Sequence, residues 1–314
     1  MKRYLPVFAV LLFLSCAAYF LFNEKEQTTP LTQTDTKIKK KTLNLDEFEK
    51  QKMCARIPQF LYQNRIFAPI IDLSQTHYKG IAFIDAKTKK VLHKKLWERY
   101  DALGTYTIDK QGNLYLTPNP FISITPATFN LQKAIYKLSS NGKLSRWMVL
   151  DEIAPNARNP YGLISIVFDC DDNSLYVSAI DKSDYKSAKG RIYHINPQTK
   201  EILQKIEGFD ALTLALLKTI KNKKYLLAGS ARDNGVYANE IINNRLQEDF
   251  IKLFELPNPE LRVRKIKVVA KNTLLLEAIK FNYSLIAQTA QKQRVAYKAI
   301  FDPRSQKWSI KKEH

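Results

Sequence analysis

Glycine and cysteine are scarce in this sequence of 314 residues, which has nine glycines and three cysteines. Phosphate-binding loops need closely spaced glycines, and the sequence contains no such loop. It also contains no Cys-x-x-Cys pair, the usual element of zinc and redox motifs. These absences argue against a nucleotide-binding loop and against a cysteine-based metal site.

Histidine is equally rare. His77 falls in a predicted loop, His93 and His194 in predicted outer strands, and His314 at the C-terminus. No two of them have the spacing of zinc ligands on a helix, and none has a Ser or Cys partner in a recognisable motif. We therefore expect the histidines to serve in packing or at the surface.

Negative charge is under-represented. Lys and Arg number 50 against 30 Asp and Glu, which gives a formal net charge of +20. Such a balance favours anionic partners, namely lipid, polysaccharide or nucleic acid, although a solvated lysine-rich surface has the same composition.

The N-terminus predicts the compartment. Lys2 and Arg3 precede an uncharged apolar run at residues 4–22, which is long enough to cross a bilayer as an α-helix. Because basic residues stay in the cytoplasm, the run predicts a single-pass anchor with the C-terminal domain outside the cytoplasm, in the periplasm of a Gram-negative cell. A lipoprotein attached through Cys16 and a cleaved signal peptide are the alternatives. All three place the domain away from nucleic acid.

Residues 23–54 have the composition of a polar linker, with a possible short helix near their end. Cys54 and Cys170 remain for the exported part of the chain. Two cysteines in an oxidising compartment can pair, but the sequence does not give their geometry, and two separate thiols are the alternative.

Residues 55–314 repeat an all-β pattern. An apolar strand follows a turn at each of five asparagines, spaced by 49, 60, 49 and 50 residues: Asn64, Asn113, Asn173, Asn222 and Asn272. A second strand–turn–strand motif follows each of them, so each repeat predicts one four-stranded antiparallel blade. The sequence therefore predicts a β-propeller of five blades, or six if the insertion at residues 118–130 hides a blade. An open array of repeats is the alternative, and it would need polar caps at its ends.

Equivalent positions of the inner strands predict a ring at the mouth of the central channel. Twelve residues before each asparagine stand Lys52, Asp101, Tyr161, Asp210 and Glu260. Three carboxylates at one mouth are a hard-oxygen ligand set of the kind that Ca²⁺ prefers. Water, or an ion pair with Lys52, would occupy such a ring equally well.

Two loops are candidate recognition elements. The insertion at residues 118–130 carries Phe121 and Phe129, and long loops in compact domains are often functional. Arg232 and Asp233 precede the tight-turn pair Asn234-Gly235 and are expected at a blade edge.

The repeats resemble the broad six-bladed β-propeller group that includes NHL-repeat proteins, strictosidine synthase-like proteins and gluconolactonases. In gluconolactonases one metal ligand comes from an Asn-Gly-Leu motif before an inner strand. Here the corresponding residues are Tyr161-Gly162-Leu163, so a tyrosine replaces the ligand asparagine. The resemblance implies a propeller with an altered metal motif.

The sequence therefore favours a membrane-tethered propeller outside the cytoplasm that binds or scaffolds without catalysis and without a cofactor. Its expected partner is a protein or an anionic component of the cell envelope. The alternative is a metal-dependent lactonase or esterase that uses Asp101, Asp210 and Glu260 around Ca²⁺ or Zn²⁺.

Overall fold

The computed structural model describes residues 43–50, 54–55, 57–100, 102–120, 129–284 and 294–313. The predicted anchor at residues 1–22, most of the predicted linker, and the residues Asp101 and Phe121 lie outside this part of the chain. Among the described residues, no helix has both the length and the apolar character that a bilayer crossing requires. Membrane attachment stays a prediction from the sequence.

Five antiparallel sheets follow one another along the described chain, and each forms one blade of a β-propeller. Blades 1 and 2 consist of β1 (Pro69–Asp72), β2 (Ala82–Asp85), β3 (Val91–His93), β4 (Leu103–Ile108), β5 (Leu114–Pro118), β6 (Ala134–Leu138) and β7 (Leu144–Val149). Blade 3 consists of β8 (Leu163–Asp169), β9 (Ser174–Ala179), β10 (Arg191–Ile195) and β11 (Ile202–Glu207). The predicted all-β propeller is thereby confirmed.

Blade 4 consists of β12 (Ala211–Lys218), β13 (Lys224–Ser230), β14 (Gly235–Ile242), β15 (Arg245–Leu246) and β16 (Ile251–Glu255). Blade 5 consists of β17 (Leu261–Ala270), β18 (Thr273–Lys280), β19 (Arg294–Asp302) and β20 (Lys307–Lys312). In blade 4, β15 and β16 both pair with β14 and share the outer position. Blade 1 has three strands, so the expectation of four strands in every blade is wrong there.

The helical segments among the described residues are short. One α-helix, α1 (Gln59–Gln63), precedes blade 1, and 3₁₀-helices cover Lys95–Tyr100 and Asn130–Lys133. The second 3₁₀-helix begins at Asn130, the last residue of the predicted insertion, and leads into β6. The described residues of that insertion, 118–120, 129 and 130, add no blade.

The backbone conformation explains why asparagine recurs at the predicted turns. Asn173, Asn222 and Asn272 adopt φ values of 57°, 63° and 50°, in the left-handed region that asparagine tolerates better than most residues. In blade 2 the neighbouring Gly112 takes this conformation, with φ of 79°. A substituent there would also lie 3.4 Å from the backbone of residues 58 and 59, which cross the turn.

The core lies between blades rather than within one of them. Four clusters of buried apolar side chains join neighbouring blades, from blades 1–2 through to blades 4–5. Adjacent residues of one strand face opposite neighbours: Leu116 packs toward blade 1, and Tyr115 packs toward blade 3. Each blade is therefore covered by its neighbours.

Residues 43–50, which the sequence assigns to the linker, pack against blades 4 and 5. Leu45 and Phe48 are buried in the cluster between these blades. The Phe48 N–H donates to Oδ1 of Asn272 at 2.9 Å, and the Asn272 N–H donates to the Phe48 carbonyl at 2.9 Å. The Ile220 N–H donates to the Glu47 carbonyl in the turn of blade 4. We call residues 43–50 the strap.

The following residues continue along the turns of the blades. A disulfide joins Cys54 to Cys170 at the turn of blade 3, with the Cα atoms 5.5 Å apart. The Phe60 N–H at the start of α1 then donates to the Ser140 carbonyl in the outer turn of blade 2. The segment thus connects blades 5, 4, 3 and 2 before the chain enters blade 1.

We expect Phe48→Ala to lower the free energy of unfolding by about 3–5 kcal/mol, because it opens a cavity between blades 4 and 5. The Phe48 ring stacks on Phe301 and Trp308, with centroids 6.2 and 6.1 Å away. The matched control is Phe67→Ala, since the Phe67 side chain is 59% exposed. Urea unfolding of the full chain measures both. Equal stability of the two variants would show that the strap adds nothing to the core.

Candidate binding site at the channel mouth

The loops that precede the inner strands meet the loops between the second and third strands at one face of the propeller. Asp210 stands directly before the inner strand β12. Its carboxylate is contacted from the β9–β10 loop, the β13–β14 loop and the segment after β18. Blades 3, 4 and 5 thus converge on one side chain.

The Asp210 carboxylate is buried and engaged on both oxygens. Oδ1 accepts hydrogen bonds from the Gly190 N–H at 2.7 Å and the Ser183 hydroxyl at 2.6 Å. Oδ2 accepts from the Tyr283 hydroxyl at 2.6 Å and from Arg232 Nη1 at 3.4 Å. Gly190 has to be glycine, because a Cβ there would lie 2.5 Å from Oδ1. Asp210 therefore organises the loops around it.

Arg232 is held in one orientation by the same network. Its Nη1 donates to the Asp184 carbonyl at 2.7 Å, and its Nη2 donates to the Tyr185 carbonyl at 2.8 Å. The side chain keeps 32% of its surface exposed. The site thus presents a fixed guanidinium group to solvent.

Aromatic side chains surround this network. Tyr161 packs on Phe281, Phe281 on Tyr283, and Tyr283 on Tyr185, with ring centroids 5.3, 5.2 and 5.5 Å apart. Burial raises the pKa of Tyr161 to about 12. Its hydroxyl therefore stays protonated at neutral pH, and the residue is part of an apolar wall.

A groove of about 450 Å³ adjoins Arg232 between blades 3 and 4. Phe209 and Phe250 stack on its floor with centroids 4.3 Å apart. On its wall, the Tyr237 hydroxyl donates to Asp233 Oδ2 at 2.6 Å. Burial alone would raise the pKa of Asp233, but hydrogen bonds from Tyr237 and Lys252 lower it below its ordinary value. The groove thus combines an aromatic floor with fixed charges of both signs.

The structure brings together four of the predicted site residues: Tyr161, Asp210, Arg232 and Asp233. Glu260 is exposed and pairs with Lys280 at 2.8 Å. Phe129 is half-buried at the start of the second 3₁₀-helix. Asp101 and Phe121 lie outside the described residues.

The bound cation stays a prediction from the sequence. In the described part of the chain, no group of three or more His, Cys, Asp or Glu side chains is arranged to hold a metal ion. The two described carboxylates of the predicted ring already have partners, since Asp210 has four hydrogen-bond donors and Glu260 has Lys280.

Sequence reasoning missed the groups that complete the site: Ser183, Tyr185, Phe209, Phe250, Phe281 and Tyr283. They come from loops whose mutual positions depend on the folded ring. The available signal was the aromatic content of those loops, for instance Phe281 and Tyr283 in "KFNYS".

His93 and His194 lie in outer strands of blades 1 and 3, as predicted, and His314 lies outside the described residues. His93 lies 3.1 Å from Glu98 and 3.0 Å from the Ile81 carbonyl. His194 is buried and stacks on Tyr176 with centroids 4.4 Å apart, and neither of its ring nitrogens has a hydrogen-bond partner among the described residues. A packing role for His194 agrees with the expectation from the sequence.

No protein-family profile matches the sequence, and no curated protein matches it. Among solved structures, the chain is similar to hydrazine synthase of Kuenenia stuttgartiensis at 10% identity, with a TM-score of 0.45 over 78% of this chain and 80% of that chain. It is similar to a putative exo-β-1,3-galactanase from Bifidobacterium bifidum at 7% identity, with a TM-score of 0.43 over 87% and 97%. It is also similar to a GH43 β-1,3-galactosidase at 9% identity, with a TM-score of 0.41 over 74% of this chain and 79% of that chain. The narrower propeller family that the sequence resembles stays a prediction.

We expect Asp210→Asn to destabilise the fold by about 3 kcal/mol, because an amide cannot accept all four hydrogen bonds and leaves Arg232 without its counter-charge. Urea unfolding measures the loss. The matched control is Glu260→Gln at the exposed pair with Lys280, which should change stability by less than about 1 kcal/mol. A loss no larger than that of the control would show that Asp210 does not organise the loops.

His194 makes stability depend on pH. Burial lowers its pKa below the ordinary value of 6.5, so the unfolded chain binds a proton more readily than the folded chain. The stability that comes from burying the neutral His194 ring is fully present above pH 6.5. It is lost as the pH falls through the lower pKa of the folded chain. His194→Phe keeps the ring stack and should flatten the stability curve below pH 6.5. Urea unfolding across the pH range measures the curve, and equal curves for His194→Phe and the parent chain would contradict the assignment.

Proposed function

We propose that this chain is an exported, membrane-tethered β-propeller that acts as a non-catalytic binding module, and that the groove beside Arg232 receives a side chain of a partner protein. The apolar run at residues 4–22 supports the tether. The Cys54–Cys170 disulfide supports export, because disulfides persist in oxidising compartments.

The single observation that carries the proposal is the prearranged groove. Binding anchors are typically aromatic or arginine side chains in pockets flanked by polar groups. Here the Phe209–Phe250 stack forms the floor, and Arg232 is already fixed by two loop carbonyls. Little conformational entropy remains to be lost when a ligand contacts them.

Its chemistry favours a protein partner. The floor accepts an apolar, aromatic or arginine side chain, while the carboxylates of Glu207 and Glu248 and the guanidinium of Arg232 offer polar contacts at the rim. An anionic envelope component would meet the single cation Arg232 among several acidic groups. We therefore favour a protein over an anionic polymer for this groove.

The test is site-specific photo-crosslinking in the producing cells, with full-length chain carrying p-benzoylphenylalanine in place of Phe250. We expect one discrete protein adduct, and we expect Arg232→Ala to reduce its yield at least tenfold. The matched control places the crosslinker at Ile220, which is 54% exposed in the turn of blade 4. No adduct at residue 250, or the same adducts at both positions, would overturn the proposal.

The hydrolase alternative has its own readout. The purified full chain should not turn over lactones or esters, with or without Ca²⁺ or Zn²⁺. Metal-dependent turnover that disappears in Asp210→Asn, while Arg232→Ala retains it, would replace the binding module by the lactonase or esterase function.

A further inference from the structure

Within the described residues, blade 1 has no strand at the inner position. In the other four blades the inner strand precedes the asparagine turn, and the second strand follows it. In blade 1 the turn at Asn64–Arg65, where Arg65 has φ of 57°, is preceded by α1. β1 follows this turn, and β2 and β3 form the outer hairpin. β1 therefore corresponds to a second strand, and it is the inner edge of its sheet.

The free edge of β1 offers backbone hydrogen-bonding groups. The Ala86 N–H donates to the Ala68 carbonyl at 2.9 Å, which sets the alternation of the β1–β2 ladder. By this alternation Ile70 bonds to β2, whereas the N–H and C=O of Ile71 point to the opposite side. That side is where each other blade has its inner strand. An unpaired edge of this kind is a template for another strand.

The blade faces beside this edge are uncovered. Ile71 packs toward blade 2, so Ile70 and Val91 lie on the other face of blade 1, where they are 52% and 39% exposed. On blade 5, Leu275 and Ile300 face away from blade 4 and are 37% and 38% exposed. Four apolar clusters join successive blades, and within the described ranges none joins blade 5 to blade 1. In a closed propeller ring these two uncovered faces are neighbours, and we call them together the seam.

The seam is strongly basic on its blade 5 side. Lys265, Lys267 and Lys298 are exposed on this face, and Lys267, Leu275 and Lys298 are cross-strand neighbours. None of the three lysines has an ion-pair partner in the described part of the chain. Glu277, opposite Lys265, instead lies 3.6 Å from Arg294. Desolvation is the largest cause that lowers the pKa of Lys265, and the charge of Lys267 lowers it further, while Glu277 opposes both.

We propose that the seam is the docking site for an extended, acidic segment of a partner protein, which adds to β1 as the missing inner strand of blade 1. The free backbone groups of Ile71 select an extended chain. The three lysines select acidic side chains at alternate positions, because alternate residues of a strand face the same side. Apolar residues at the other positions would face blade 2. This surface is separate from the groove between blades 3 and 4, so either site can fail alone.

A polyanion lying on the lysines is the competing interpretation. Nucleic acid or a sulfated polysaccharide would contact the ammonium groups but would form no ladder with β1. The two cases differ at the Ile71 amide, which only an added strand protects from hydrogen exchange.

The test uses the full-length chain and a ten-residue synthetic peptide of alternating glutamate and valine, with a lysine–valine peptide as control. Fluorescence anisotropy should show at least tenfold tighter binding of the glutamate peptide. Residue-resolved hydrogen exchange should slow at least tenfold at Ile71 when it is bound. Equal affinities of the two peptides, or unchanged exchange at Ile71, would overturn the proposal. We expect dextran sulfate to compete with the glutamate peptide without slowing exchange at the Ile71 amide. If dextran sulfate slowed exchange at Ile71 as much as the peptide does, the proposal would also be overturned.

Two pairs of variants locate the interaction. Ile71→Pro removes the outward N–H and should abolish peptide binding, whereas Ile71→Ala keeps that N–H and should stay within about threefold of the parent chain. The double variant Lys265→Glu/Lys267→Glu should weaken binding at least tenfold. Its matched control is Lys110→Glu/Lys143→Glu in exposed turns of blade 2. The charge variants do not alter β1, so they decide the question even if Ile71→Pro does not fold. If both double variants weakened peptide binding equally, the lysine effect would come from the net charge of the protein, and the assigned site would be wrong.

Discussion

Each blade of this propeller has two apolar faces, and a sheet of that kind is stable in water only when both faces are covered. Blades 2, 3 and 4 meet this requirement through their neighbours, as the opposite directions of Tyr115 and Leu116 show. Blades 1 and 5 each have one neighbour in the described structure. The rest of the architecture follows from how the chain treats these two terminal blades.

The N-terminal segment holds the blades together from the turn side. The strap places Phe48 between blades 4 and 5, the disulfide fixes Cys54 to blade 3, and α1 contacts blade 2 before β1 begins. One short stretch of chain therefore connects blades that are far apart in sequence. Within the described residues, this segment restrains the relative positions of the blades without adding a strand to any of the five sheets.

The sequence predicted the number of blades because the repeating signal has a local cause. An asparagine in the left-handed region marks the turn of an inner strand pair, and Asn173, Asn222 and Asn272 do this directly. The strap was unpredictable because its binding partner, Asn272, lies 224 residues from Phe48. The missing strand of blade 1 was unpredictable because short apolar stretches such as that of α1 fit a strand and a helix equally well. At the site, the twelve-residue spacing located Asp210, but its donors Ser183, Arg232 and Tyr283 come from three other loops.

The seam and the channel mouth share one element, β17. Lys265 and Lys267 of this strand face the seam, while Arg264 at its bulge is close enough to Tyr161 to affect the pKa of its hydroxyl. A strand bound in the seam would cover the open face of β17 and give blade 1 its fourth strand. Because such a ligand binds only the folded ring, its binding free energy adds to the stability of the fold. In this propeller, binding of the partner strand would then complete blade 1. The lysines of the seam would destabilise the unbound ring, and they would also provide the recognition of the acidic partner.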